Sequence, residues 1–150
     1  MSQLTTSDPN RLTRNTFTFV AGTTGATGNH TVFTVTGCVF VKKITAYTTT
    51  DLVPDVAGAT ISLGIVANNA GLIDATVAAS IDATKLWNRS TSAAADAAHR
   101  TDFAYLYDFS LISNIIYNIA VQAIASGVIQ FIVEWYPLST DGNLVATTPA

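Results

Sequence analysis

Apolar and polar residues alternate along most of this chain with a period of two. Asn15–Val20 sets Phe17 and Phe19 on one side and Thr16 and Thr18 on the other. Such alternation marks a half-buried β-strand, because successive side chains point to opposite faces. The pattern returns in Thr31–Val35 and in Cys38–Tyr47, where Val39 and Val41 face away from Phe40 and Ile44. It returns again in Thr60–Ala67, with Ile61, Leu63 and Ile65 on one face, and begins afresh at Leu72–Thr76. Gly22–Gly28, Gly37, Thr48–Gly58 with Pro54, and Asn68–Gly71 read as turns or loops. Their Gly, Pro and Asn residues supply the conformations that tight turns need.

The second half is less even. Ile81–Arg100 has no sustained period, and its Ala/Ser/Thr-rich part, Ser90–Ala98, reads as a loop. Alanine alone is a weak reason for a helix where no apolar face exists. Three strong strands follow: Phe103–Phe109, Ile115–Val121 and Val128–Tyr136, with Ser126-Gly127 as the turn signal before the last. Leu111–Ala125 also fits a helical stripe, but its β-branched content favours a strand. About eight or nine strands without a helix predict an all-β, single-domain β-sandwich, with the jelly roll as its eight-stranded form. The organisation is then an N-terminal arm at 1–14, a sandwich at 15–136 and an extended C-terminal tail at 137–150. Within the polar arm, Leu4, Arg11, Leu12 and Arg14 are candidate anchors for a segment that orders on a partner.

Composition narrows the partners. Charged residues make up only 11% of the 150 residues and hydrophobic ones 49%. No stretch reaches the roughly 18 uninterrupted apolar residues of a membrane-spanning helix. The start, Met1–Leu4, is polar and lacks a secretory pattern, so synthesis in the cytoplasm without Sec-type export is expected. A net charge of −3, with no basic cluster beyond Lys42-Lys43, argues against nucleic acid. A neutral surface rich in Thr, Ala and Asn fits a protein that buries much of its exterior against other subunits, since burying Thr or Ala at an interface costs less desolvation than burying Lys or Glu. Alternation puts Lys42 and Lys43 on opposite faces, which suits an edge strand protected by lysine.

Candidate chemistry is sparse. His30, His99 and the single cysteine, Cys38, lack metal-ligand spacing, and no cofactor is implied. Cys38 sits in an apolar run and reads as a small buried hydrophobe. The glycine-rich segment Gly22–Gly28 lacks the Lys-Ser/Thr of a phosphate loop. Asp102 and Asp108 bracket an aromatic strand without forming a hydrolase motif. The sequons at Asn29 and Asn88 stand in a Thr/Ser-rich chain without a secretory signal. No nucleophile elbow is present, so an enzyme is not expected. Trp87, Tyr105, Tyr107, Trp135 and Tyr136 leave two readings open. They fill the core and its subunit interfaces, or they form a platform for sugar rings.

The segment Gly28-Asn29-His30-Thr31-Val32-Phe33-Thr34-Val35-Thr36-Gly37 resembles the opening of many small proteins from tailed-phage structural gene clusters. Ala59–Ile65, Leu72–Thr76, Ser80–Ala83 and Trp87 resemble later parts of the same family. The run from Gly127-Val128-Ile129 to Trp135-Tyr136-Pro137-Leu138-Ser139-Thr140-Asp141-Gly142-Asn143 is the most specific. The resemblance spans residues 28–145, with only strand character shared over Ser90–Ala125 and the N-terminal arm outside it. It implies a virion protein and brings no catalytic residue with it. Small β-sandwich phage proteins are often capsid decoration (cement) proteins, commonly trimeric. The expectation is therefore a non-enzymatic protein bound to the major capsid protein as a homotrimer on the outer head lattice. It would be made in the host cytoplasm and reside in the virion, without nucleic acid, membrane or small-molecule partners. The alternative is a tail or fibre module that binds a host-surface glycan through Trp87, Tyr105, Tyr107 or Tyr136.

Overall fold

A computed structural model describes residues 10–87, 96–97 and 107–148. Leu4, Tyr105, His99, Asp102 and the Asn88 sequon lie outside the described residues. The described chain forms β1 (Arg11–Thr18), β2 (Gly28–Thr36), β3 (Val39–Pro54), β4 (Thr60–Ile65), β5 (Asn68–Val77) and β6 (Lys85–Trp87). These are followed by β7 (Asp96–Ala97), β8 (Tyr107–Leu111), β9 (Ile115–Ala120), β10 (Ile124–Pro137) and β11 (Asn143–Ala146). One 3₁₀ turn, Ala78–Ser80, leads from β5 towards β6.

The strands build two antiparallel sheets. One runs β1-β10-β3-β6-β7, with β8 also on β3, and the other runs β11-β2-β9-β4-β5. The pairs β1·β10, β2·β9, β3·β6 and β4·β5 nest inside one another. They amount to one long hairpin rolled into a barrel-like sandwich, which is the jelly roll the pattern predicts. β7, β8 and β11 are additions to that plan.

The core follows from the alternation. Phe17 and Phe19, then Ile129, Phe131, Val133 and Trp135, all turn inward and are buried. Facing them from the second sheet are Phe33, Ile61, Leu63, Ile73, Ile115 and Ile119. Tyr117 stands at the centre. Its ring meets Phe17 edge-on at 5.1 Å between centroids and lies parallel to Phe131 at 6.3 Å. Aromatic pairs in these geometries add about 0.5–1.5 kcal/mol each beyond simple burial. Asn15 ties the sheets together at one edge. Its side-chain amide, on β1, donates to the carbonyls of Val32 at 2.8 Å and Thr147 at 2.6 Å.

Several boundaries differ from the sequence reading, each for a long-range reason. The arm ends sooner than expected, because Arg11–Arg14 pair with Ile132–Trp135 as the start of β1. The loop expected at Thr48–Gly58 is largely strand. β3 continues to Pro54 because Thr48, Thr50 and Val53 find partners on β10. The turn expected at Asn68–Gly71 lies two residues earlier, at Val66-Ala67, and Asn68 already pairs with Ile65. Gly127 is no turn. It sits in a bulge inside β10 with φ +124°, where a β-carbon would fall 2.5 Å from Leu52 Cδ2. Only glycine suits that conformation and that space. Asp96-Ala97, within the stretch expected to be a loop, pairs with β6.

Lys42-Lys43 is also corrected. β3 is an inner strand, flanked by β10 on one side and by β6 and β8 on the other. Glu134 pairs with Lys43 while Trp135 pairs with Val41, so Lys42 is the extra residue of a bulge. The bulge, rather than an edge, lets two successive lysines of an inner strand stay out of the core, Lys42 half-buried and Lys43 exposed between the buried Val41 and Ile44.

Candidate interaction surfaces

The outer face of the six-stranded sheet gathers several of the sequence-predicted residues. Leu12 and Arg14 project from β1 opposite Glu134 and Ile132 of β10. Leu12 is 55% exposed. Tyr136 stacks on Phe40, its registered neighbour on β3, with centroids 5.0 Å apart and planes at 29°. Both rings are half-buried. Beside them Glu134 accepts the side-chain amide of Asn10 at 3.0 Å and faces Lys43 Nζ at 3.8 Å. Phe40 escaped the sequence reading. Its outward direction was legible from Val39 and Val41, but its meeting with Tyr136 depends on register.

Two of the predicted residues serve the core instead. Trp87 is fully buried, and its Nε1 donates to Thr76 Oγ1 at 3.1 Å. Its register opposite Ala46 directs it inward, against Phe131 at 6.5 Å, so it offers no ligand platform. Arg11 caps Trp135, with its guanidinium carbon 5.2 Å from the ring centroid. Tyr107 places its backbone opposite Lys43 in β8. Tyr105 and Leu4 fall outside the described residues.

At one end of the sandwich, the β2–β3 corner is clasped by the β10–β11 loop. Cys38 N–H donates to Ser139 Oγ at 2.9 Å, and that hydroxyl donates to Asp141 Oδ1 at 2.7 Å. The Cys38 carbonyl accepts from the amides of Leu138 at 2.9 Å and Ser139 at 3.2 Å. Gly37 has φ +61°, and a β-carbon there would sit 2.6 Å from Ser139 Oγ. Cys38 is half-buried rather than buried, because the corner turns it towards this loop.

At the opposite end four loops meet, at 19–27, 55–59, 78–84 and 121–123. Thr24, Tyr117 and His30 brace the first. Thr24 Oγ1 donates to the Thr18 carbonyl at 2.6 Å and accepts from Val20 N–H at 3.0 Å. Tyr117 Oη donates to the Thr24 carbonyl at 2.7 Å, and burial pushes its phenol well above the usual range. His30 stacks on Tyr117 at 4.8 Å and donates from Nε2 to the Ala26 carbonyl at 2.7 Å. Further bonds cross between loops and strands: Ile124 N–H to Gly25 O at 2.8 Å, and Asp55 N–H to Ala123 O at 2.9 Å. Val20, Val56 and Val121 remain exposed on this end. The sequence reading places Val20 and Val121 at the ends of strands and Val56 in a loop, and nothing in the alternation marks the three as neighbours.

Among the described residues, no group of three or more His, Cys, Asp or Glu side chains is placed to hold a metal ion. No described helix is long and apolar enough to cross a membrane. No protein-family model, curated protein or solved structure matches the chain.

Proposed function

We propose that this protein is a structural virion subunit, a decoration protein that binds the outer head lattice as an oligomer and stabilises it. One observation carries the reading. Key residues in the most specific part of the phage-protein resemblance, Gly127–Asn143, are spent on architecture. Trp135 fills the core and donates from Nε1 to Thr13 Oγ1 at 2.9 Å. Ser139 and Asp141 hold the Gly37-Cys38 corner. A signature devoted to holding a sandwich together suits a protein whose work is packing. Binding only the assembled lattice would stabilise it by mass action against disrupted states. The test adds purified protein to heads that lack it and measures the temperature at which they rupture. A raised rupture temperature with saturable occupancy is expected. Heads that neither bind the protein nor gain resistance would refute the reading. Sedimentation of the free protein tests the homotrimer.

The Phe40–Tyr136 pair favours a second reading, a tail or fibre module that recognises a host glycan. Aromatic faces beside a carboxylate, an amide and an ammonium group can bind a sugar through its apolar face and its hydroxyls. Under this reading glycan-array binding appears and is lost in Tyr136→Ala. An array without signal removes it.

A further inference from the structure

We propose that the four-loop end is the surface that seats on the partner, and that it fits a protein surface that is apolar at its centre and bordered by Lys or Arg. The inference rests on the decoration reading and names its contact site. Val20, Val56 and Val121 are 53%, 54% and 70% exposed there. Val56 and Val121 belong to neighbouring loops, since a β-carbon on Gly58 would lie 3.8 Å from Val121 Cγ1. Single exposed valines are ordinary, but apolar side chains gathered at one end mark an interaction site.

The backbone at Val121 is the independent observation. Its φ is +71°, and Gln122 N–H donates to Ala120 O at 2.9 Å across it, closing a γ-turn. A β-branched residue resists that conformation, which costs on the order of 1–3 kcal/mol. Glycine would relieve the strain, and the core gains nothing from a side chain that points into solvent. Strain kept at an exposed apolar tip points to a task outside the fold.

Charge and rigidity indicate the occupant. The four loops contain Asp55 and Asp82 and no Lys or Arg. A partner bordered by cations meets this end without burying like charges together, whereas an acidic border is repelled. The loops are already fixed by bonds such as Ile124 N–H to Gly25 O, so docking would order little chain. At the opposite end Val66, Ile112 and Leu138 are exposed too, beside Asp141, but no non-glycine residue of the described loops there has a positive φ, so the strained apolar tip distinguishes the four-loop end.

The test measures occupancy on heads lacking the protein. The variant Val20→Ser/Val56→Ser/Val121→Gly is expected to bind at least about tenfold more weakly, given the transfer energy of even one valine. Asp55→Lys is expected to weaken binding, most at low salt. Ile112→Ser/Leu138→Ser and Tyr136→Ser, at other surfaces, are expected to bind like wild type. Circular dichroism and an unfolding midpoint confirm that each variant folds. Undiminished binding of the valine variant, or loss of binding in the distant variants alone, overturns the surface assignment. Failure of the wild-type protein itself to bind heads overturns the decoration reading, and this inference with it.

Discussion

Ser139 accepts the amide hydrogen of Cys38 at 2.9 Å, across a sequence separation of 101 residues. The same hydroxyl donates to Asp141, so one side chain joins the β2–β3 corner to the β10–β11 loop. Ser139→Ala leaves the Cys38 amide without that acceptor and is expected to cost about 1–2 kcal/mol. Gly37→Ala should cost more, since it adds a β-carbon against Ser139 Oγ at a positive φ. Urea denaturation of both variants beside wild type checks the order. Equal stability of all three would mean that the clasp contributes nothing.

Thr48 carries the opposite kind of group. Its hydroxyl is buried without a hydrogen-bond partner among the described residues. Thr48→Val keeps the shape and removes the orphaned oxygen. It should raise stability by about 1 kcal/mol, within the range for an unpaired buried polar group. A thermal melt below that of wild type would show that the hydroxyl is satisfied in solution.

Tyr117 gives stability a dependence on alkaline pH. Burial raises its phenol pKa in the folded protein above the unfolded value of about 10. Below about pH 10 both states keep the proton, and the contribution of this group is complete. Above it the unfolded chain loses the proton first, so stability falls as pH rises towards the folded pKa. Tyr117→Phe should lose about 1 kcal/mol at neutral pH, through the lost bond to Thr24 O. It should also show a shallower alkaline decline. Denaturant midpoints across about pH 8 to 11 provide the comparison, and parallel curves would contradict the assignment.

Much of this architecture was legible from the alternation. Phe17 and Phe19, and Ile129 through Trp135, face the core as the period of two requires. Seven of the eight nested strands carry that pattern; β6 lies in Ile81–Arg100, where no period was legible, and the nesting itself rests on pairings distant in sequence. What escaped depends on partners far along the chain. Gly127 reads as a turn until β3 is placed beside it, and Lys42 breaks the alternation only because β10 imposes a bulge. Trp87 looked available as a ligand platform because nothing nearby in sequence reveals that Ala46 is its neighbour across β3. The surfaces were harder still. Tyr136 was visible, but the Phe40 beneath its ring was not.

Val121 allows stability and surface chemistry to be separated. Val121→Gly relieves a positive φ at a residue 70% exposed. It should leave the midpoint of unfolding unchanged or raise it by up to about 1 kcal/mol, the released strain outweighing the glycine's extra unfolded-state entropy. Calorimetry decides, and a clear loss of stability would show that the valine supports the fold.

The nested pairing also dictates the order in which a growing chain can fold. Arg11 pairs with Trp135, and Phe17 with Ile129. The first strand therefore leaves the ribosome long before its partner exists. Phe17 and Phe19 stay uncovered until Tyr117 and then Ile129 and Phe131 have been made, and closure of that long loop must precede the final contacts. Among the described strands, the central hairpin of β4 with β5, and then β3 with β6, can form before β9 and β10 exist. The sandwich is completed at its outer turn, when the last long strand slides between β1 and β3.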